Sequence, residues 1–244
     1  MTALPTRKIE AFRYADIDAL ASVWSDLARP EIIEIAAQQK LQQIWLPTGE
    51  DVQVRRLELT LQAGASAAIF ALNTASRYGR IELDVTLHDG ADFALDGANI
   101  GGGESTLEIV TTLRHVEPNA TSRQAIRSVL GGKAAGSYLG KVAVSRGADG
   151  TDSVQSVKAM LLNRGATANA KPELEIYADD VKCAHGATVG ELDRDQLFYA
   201  ASRGLDPASA RALLLEGFVG RLWDALGTES EIAAQASAAL RVIA

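Results

Sequence analysis

A short turn motif recurs six times in the middle of the chain, and this repeat constrains the fold more than any other feature. Each copy has Gly or Asn, then Ala, then a polar residue, and most copies follow a run of alternating apolar and polar residues. Neighbouring copies start 18 to 29 residues apart, a period typical of solenoid proteins. The copies are Gly64-Ala65-Ser66, Gly90-Ala91-Asp92, Asn119-Ala120-Thr121, Gly147-Ala148-Asp149, Gly165-Ala166-Thr167 and Gly186-Ala187-Thr188.

The runs between these turns alternate with a period of two, which indicates half-buried strands. Gly or Asn at the first turn position suits a backbone with positive φ, and Ala fits a crowded corner. Strands joined by such corners, with no helices between them, predict a β-helix in which each coil stacks on the previous one. A jelly roll or another antiparallel sandwich gives the same alternation, but the recurrent corner favours the β-helix.

The sequence divides into three predicted regions. Residues 1–50 are predicted to be partly helical, although residues 30–47 fit either a helix or a strand followed by a turn. Residues 51–192 form the predicted β-helix core, and residues 193–244 form a helical segment. Because the end strands of a β-helix have unpaired edges, we expect the flanking helices or a partner chain to cover them.

The C-terminal segment carries clear helix signals. Asp206 is a predicted N-cap, with Pro207 at the first helical position. Apolar residues then follow at helical spacing, which predicts one apolar face. These residues are Leu213, Leu214, Phe218, Leu222 and Leu226.

Two glycine-rich stretches, residues 101–107 and 130–137, lack the phosphate-loop pattern G-x-x-x-x-G-K-[ST]. They are therefore predicted to be further corners of the β-helix rather than a nucleotide site. No other part of the chain carries that pattern.

Charge and composition narrow the class of protein. The net charge is −7, the isoelectric point is about 5.1, and no run of basic residues occurs, so we expect no nucleic-acid partner and no membrane-surface partner. The N-terminus has no apolar signal region, and no apolar stretch reaches about 18 residues. A single cysteine excludes an internal disulfide. These features predict a cytoplasmic protein in a reducing compartment.

Cys183 is followed two residues later by His185. If residues 181–185 are extended, both side chains lie on one face of a strand. Thiolate and imidazole both bind iron, zinc and copper, but a conventional zinc or iron–sulfur site takes four ligands. With one Cys and three His in the chain, a partner chain or a small thiol must supply the rest. Two alternatives remain: Cys183 as a buried apolar residue beside a turn histidine, or a Cys nucleophile with a His base.

Residues 171–190 read KPELEIYADDVKCAHGATVG, and a Ser-Arg-Gly element follows at residues 202–204. This combination, continued to residue 219, resembles the shared core of the SufB/SufD family of iron–sulfur cluster assembly proteins. The N-terminal sequence LPTRKIEAFRYAD, residues 4–16, resembles the SufD branch of that family.

The resemblance implies a right-handed parallel β-helix with helical ends, acting as a non-catalytic scaffold subunit. It implies pairing with a SufB-like subunit in a SufBCD complex, with Cys183 and His185 as metal ligands at that interface. Iron or an iron–sulfur cluster would be held there transiently and shared with the partner chain, and none would be tightly bound by this chain alone.

The resemblance also implies that residues 196–226 bind a SufC-like ATPase. Independently of it, we expect the isolated chain to form a homodimer when the SufB-like subunit is absent, because a two-fold interface doubles the ligand set. The first fifty residues are shorter than the usual SufD N-terminal region, so a role for them in binding partners or flavin stays open. The residues implied in ATPase binding are Gln196, Phe198, Arg203, Leu213, Leu214 and Phe218.

Two other functions fit the sequence less well. One is a homo-oligomeric metal-binding β-helix protein, in which Cys183 and His185 of two copies meet across a two-fold axis. The other is a β-helix enzyme that acts on polysaccharides. Such an enzyme needs clustered carboxylates or arginines and aromatic sugar platforms, whereas only 5% of the residues are aromatic.

Overall fold

The computed structural model describes residues 3–27, 29–227 and 229–243. Within them, successive strands alternate between two six-stranded sheets, so that each coil gives one strand to each sheet. All pairings are parallel. The predicted mainly β fold, a parallel β-helix with helices at both ends, is therefore confirmed. The strands are β1 Glu31–Ile35, β2 Lys40–Trp45, β3 Val52–Leu61, β4 Ser66–Asn73, β5 Tyr78–Leu87, β6 Asp92–Gly101, β7 Thr106–His115, β8 Thr121–Leu130, β9 Ala135–Val144, β10 Asp152–Leu161, β11 Thr167–Ile176 and β12 Lys182–Gly190.

The odd-numbered strands form one sheet in the order β1-β3-β5-β7-β9-β11, and the even-numbered strands form the other in the order β2-β4-β6-β8-β10-β12. Side chains that point inward from both sheets form the main core, which is aliphatic in the early coils. Each fully buried Leu, Ile or Val in such a core stabilises the fold by about 1.5–3 kcal/mol. Representative members are Leu59, Leu83, Val85, Leu95 and Ile126.

The repeated turns form the corners of the β-helix in most copies. Their first residues have φ between 60° and 78° at positions 64, 90, 119 and 147, and the alanine that follows each one is completely buried. Backbone bonds link one corner to the next: the N–H of Gly64 donates to the Asp89 carbonyl at 2.8 Å. The glycine-rich stretches are corners too, since Gly103 and Gly132 both have positive φ between strands.

The turn predicted at Gly186-Ala187-Thr188 is wrong. These residues lie inside β12, where Gly186 does not have positive φ and Ala187 is exposed. The local pattern matches a corner, but the ladder with β10 continues through this point, with Ala187 opposite Val157. Pairing along the whole strand outweighs the local turn preference.

The β-helix begins earlier than the predicted boundary after residue 50. For residues 30–47 the strand alternative is the observed one, because β1 pairs with β3 and β2 pairs with β4. Among the described residues of the first fifty, the helical ones all precede β1. They form a short 3₁₀ segment Glu10–Phe12, helix α1 Ile17–Ala21 and helix α2 Trp24–Leu27.

The C-terminal helices are α3 Arg194–Ser202, α4 Pro207–Gly220 and α5 Glu231–Ile243, with a 3₁₀ segment Arg221–Leu226 after α4. The predicted N-cap Asp206 accepts from the backbone N–H groups of Ala208 and Ser209, and Pro207 opens the helix as expected.

These helices pack on the outer face of the even-strand sheet, where Trp223 and Leu215 contact a cluster that includes Phe70 and Ile100. The single apolar face predicted for residues 213–226 differs from the structure: Leu213 is 56% exposed, and Leu215 is buried instead. Within α4 the buried side is set by Leu215 and Val219, one turn apart, so Leu213 lies on a different side of the helix.

A buried ion pair between β5 and β7 of the odd-strand sheet also contacts the N-terminal segment. The side chains of Arg80 and Glu108 are both 0% exposed and lie 3.1 Å apart. Arg80 also donates to the carbonyl of Ala11 at 2.8 Å, and its guanidinium lies 4.2 Å from the centre of the Phe12 ring. The Tyr78 hydroxyl donates to Glu108 at 2.5 Å. The N-terminal segment is thereby attached to the outer face of this sheet.

Candidate interface and metal-ligand site

Strand β12 is the last strand of the even-strand sheet, and it carries both Cys183 and His185. Among the described residues it pairs on one side only, with β10, and nearly all of its residues are exposed. Strand β11 has the same end position in the odd-strand sheet. An edge strand of this kind leaves backbone N–H and C=O groups free to pair with another chain.

The register places Cys183 opposite Ser153 and His185 opposite Gln155 of β10. The Cys183 side chain packs against the main core, so it points to the inner side of the sheet. Because residues i and i+2 of a strand share a face, His185 stands on the same inner side, above the open end of the β-helix. Cys183 is half-buried and His185 is exposed.

The environment of Cys183 favours the protonated thiol. Burial is the main cause that raises its pKa, and the negative charge of Asp152 adds to it, while the Ser153 backbone N–H opposes them in part. Within the described residues no hydrogen bond joins the thiol to the imidazole of His185. A free thiolate nucleophile is therefore disfavoured, whereas a metal ion displaces a thiol proton directly.

The chain's own ligand set at this edge is incomplete. The described residues contain no group of three or more His, Cys, Asp and Glu side chains that could hold a metal ion. His88 lies at a corner, 3.2 Å from Glu117, and His115 is completely buried inside the β-helix. Neither joins Cys183 and His185, so the edge offers at most a thiol and an imidazole.

The interior directly beneath Cys183 and His185 is polar, a feature that sequence reasoning missed. The Oγ atoms of Ser122 and Ser153 lie 2.8 Å apart, and His115 Nε2 lies 3.0 Å from Ser122 Oγ. Next to them in the interior, the Tyr138 hydroxyl donates to Gln124 Oε1 at 3.0 Å and accepts from Gln155 Nε2 at 3.1 Å. The sequence does contain a signal for this polar interior. At matching positions of successive repeats, apolar residues are replaced by polar ones, as when Leu95 is followed by Gln124 and then Gln155.

The residues expected to bind an ATPase do not all lie on one surface. Gln196, Arg203, Leu213 and Leu214 line one apolar groove between α3 and α4, together with Tyr199 and Leu205. Phe198, on α3, is 76% exposed. Phe218 differs, because it packs in the cluster against the even-strand sheet, with the guanidinium of Arg127 5.8 Å from its ring centre.

Comparison with known protein families shows which family the chain belongs to. The model for the SufBD core domain of the SUF iron–sulfur cluster assembly system matches residues 31–218. The chain belongs to the SufBD family. The match includes β12 and its two candidate ligands and ends within α4. The resemblance to the SufB/SufD family is confirmed, and the family connects this chain with iron–sulfur cluster assembly.

Several SufBD relatives resemble part of the chain. The iron–sulfur cluster assembly protein SufD of Escherichia coli is 38% identical over 119 residues, which make up 49% of this chain and 28% of that protein. The chloroplastic protein ABCI7 of Arabidopsis thaliana is 39% identical over 116 residues, or 47% and 24% of the two chains. A SufBD family protein of Mycobacterium leprae is 28% identical over 202 residues, or 78% and 51%. The first two alignments thus span about a quarter of each relative.

In the part of the chain that the structure describes, no helix is both long enough and apolar enough to cross a membrane.

Proposed function

We propose that this chain is a non-catalytic scaffold subunit in iron–sulfur cluster assembly. It pairs through β12 with a SufB-like subunit and offers Cys183 and His185 to iron or a nascent cluster at that interface. The observation that carries the proposal is an incomplete ligand pair on an unpaired sheet edge of a SufBD family protein. The metal is cargo in this function, and the partner chain completes its coordination.

The edge favours a partner with a β-helix of its own. Strands β11 and β12 end the two sheets, so a second β-helix can extend both ladders across one interface. Such pairing would also cover the half-buried Cys183 and exclude water from the ligands. A raised thiol pKa in the free chain fits this order of events, because the thiolate forms only when the metal binds.

The groove between α3 and α4 supports the second part of the proposal, which is binding of a SufC-like ATPase. Two large side chains that line the groove are exposed, Tyr199 at 60% and Leu213 at 56%, and Phe198 on the same helix α3 is 76% exposed. Large apolar side chains clustered on a surface mark protein interaction sites, and aromatic residues often dominate their binding energy. Because the chain has no phosphate-loop sequence, ATP hydrolysis would come from that partner.

The test is co-expression with the SufB-like and SufC-like proteins of the same organism, followed by anaerobic size-exclusion chromatography with light scattering. We compare the wild type with His185→Ala and with the control His88→Ala, whose histidine lies at a distant corner. All three should form the complex, and His185→Ala should carry several-fold less iron and sulfide. Equal iron and sulfide contents in the two variants, or no complex with the wild type, would contradict the proposal.

The same edge favours a second candidate, a homodimer that binds metal across a two-fold axis. Two copies paired through β12 would bring two thiols and two imidazoles together. In the chromatography above, a wild type that stays dimeric, ignores both partners and retains iron supports this candidate instead.

A further inference from the structure

The interior of the β-helix changes from apolar to polar along its axis, towards the edge that carries the candidate ligands. In one inward row, Leu95 of β6 stands opposite Gln124 of β8, which stands opposite Gln155 of β10, and His185 comes next. The neighbouring row changes in the same way, from Phe93 through Ser122 and Ser153 to Cys183. The polar positions thus lead to the two ligands in both rows.

The fold itself does not require Gln155. Leu95 fills the same row two strands earlier and is completely buried, so this position of the repeat accepts an aliphatic side chain. The Gln155 side chain is buried, and its Oε1 has no hydrogen-bond partner among the described residues. A buried acceptor that lacks a partner is destabilising, because it has lost its hydrogen bond to water and gained none in the protein. The amide must therefore serve some purpose other than filling the core.

The nitrogen of the same Gln155 amide is held in place by a hydrogen bond. Gln155 Nε2 donates to the Tyr138 hydroxyl, which also contacts Thr111 Oγ1 at 3.2 Å and donates to Gln124. Burial raises the pKa of Tyr138, so its hydroxyl keeps its proton. The network restricts the rotation of the Gln155 side chain, and this leaves Oε1 as its one unused acceptor.

We propose that Gln155 is a positioning residue for His185, with Oε1 accepting a hydrogen bond from one imidazole N–H. The two residues are partners in the β10–β12 ladder, and both side chains stand on the inner side of the sheet. Neighbouring strands lie about 4.8 Å apart, a separation that a Gln side chain and an imidazole ring can bridge. The bond fixes the tautomer and leaves the other ring nitrogen to bind metal. This inference rests on the proposed function, because it gives His185 a ligand role.

The direct test is the tautomer of His185 in the metal-free chain. We label histidine with ¹⁵N and record long-range ¹H–¹⁵N spectra of the full chain at a pH where the imidazole is neutral, assigning the signal with His185→Ala. The wild type should show one tautomer, and Gln155→Leu should show a mixture. Gln155→Glu should restore the single tautomer, because a carboxylate also accepts the bond.

The matched control is Gln124→Leu, which removes the same amide one strand further from the edge and should leave the His185 tautomer unchanged. If Gln155→Leu fails to fold, Gln155→Met removes the acceptor with an unbranched side chain of similar length. A mixed tautomer in the wild type overturns the inference. The same follows from an unchanged spectrum in Gln155→Leu or Gln155→Met, or from an equal effect of Gln124→Leu.

Binding of ferrous iron by the assembled complex separates this inference from the proposed function. Loss of a residue that orients a metal ligand weakens metal binding 10–100-fold, so we expect at least about tenfold weaker binding in Gln155→Leu. If His185→Ala binds iron as well as the wild type does, the ligand role fails, although the tautomer result can still show the hydrogen bond. If only His185→Ala loses iron, the function stands and the positioning role fails.

Discussion

At the residue scale, His115 shows how the polar interior should affect stability. It is completely buried, and the backbone of Ala120 opposes the effect of burial on its pKa only in part. Burial lowers its pKa from 6.5 to about 4. The unfolded chain therefore takes up a proton at a higher pH than the folded chain does, and this favours unfolding as the pH falls from about 6.5 towards 4.

From this shift we predict that His115 makes the wild type about 2–3 kcal/mol less stable at pH 4.5 than at pH 7.5. Above pH 7 the residue is neutral in both states and has no such effect. In His115→Gln, which keeps a polar group near Ser122, this part of the pH dependence should disappear. Urea unfolding at the two pH values measures it, and His88→Gln should retain the wild-type dependence. An identical pH dependence in His115→Gln and the wild type would refute the burial argument.

Residue-level patterns predicted the Cys183 and His185 pair but not the side chains beneath it. Alternation along one strand is enough to place residues 183 and 185 on the same face. The position of Gln155 under His185 depends instead on the register between strands 30 residues apart, which no local pattern specifies. Arg80 and Glu108 were missed for a similar reason. Charged residues on an alternating strand indicate a solvent-facing side, but here the N-terminal segment covers that side.

At the scale of elements, the buried ion pair should decide whether the N-terminal segment stays attached. Removing Glu108 takes away the fully buried partner and leaves Arg80 with Glu82 alone, 2.8 Å away, so the cost is at the lower end of the about 3–5 kcal/mol that breaking a buried pair takes. We expect Glu108→Ala to lose about that much unfolding free energy and to increase hydrogen exchange at residues 9–15. Urea unfolding and exchange mass spectrometry measure the two effects.

The surface ion pair between Arg114 and Asp84 supplies the control. Both side chains are more than 40% exposed, so Asp84→Ala should change the unfolding free energy by less than about 1 kcal/mol. If Glu108→Ala costs no more than Asp84→Ala, the Arg80 pair does not hold the N-terminal segment.

Among the elements, the sequence predicted the corners better than the boundaries. A corner needs a residue with positive φ followed by a buried alanine, and both are local requirements. The motif therefore predicts the corners that start at positions 64, 90, 119 and 147 correctly. The Gly186 copy failed because strand pairing outweighed it. The sequence of the short strands β1 and β2 fitted a helix as well as a strand, and pairing with β3 and β4 is what makes these residues strands.

At the scale of the whole molecule, the architecture places the two candidate interaction surfaces on different residues. The open edge of β12 ends a sheet, and the groove between α3 and α4 lies on helices that pack through α4 and α5 on the outer face of that sheet. The repeat predicted the β-helix, because stacking of coils follows from its period. Its spacing contains no information on where the C-terminal helices pack, which depends on Trp223, Leu215 and their sheet contacts.

If the two surfaces bind different partners, a substitution on one surface should weaken the binding of its own partner and leave the binding of the other partner unchanged. The Lys182 N–H donates towards β10, so the N–H groups at odd-numbered positions of β12 point to the open edge. Ala187→Pro removes one outward donor and leaves the ladder to β10 intact. We expect it to weaken binding of the SufB-like subunit at least about tenfold, which is about 1.4 kcal/mol, with little change in binding of the ATPase.

Leu213→Asp tests the other surface, because Leu213 lines the groove between α3 and α4 and is 56% exposed, so the substitution places a charge on that apolar surface. It should abolish binding of the SufC-like ATPase and leave the SufB-like subunit bound. Pairwise binding measured by calorimetry on the same three proteins gives both results, and unfolding of each variant alone shows that the fold is intact. If either substitution removes both partners while the fold is kept, the edge and the groove act as one interface. The assignment of separate partners to them would then be wrong.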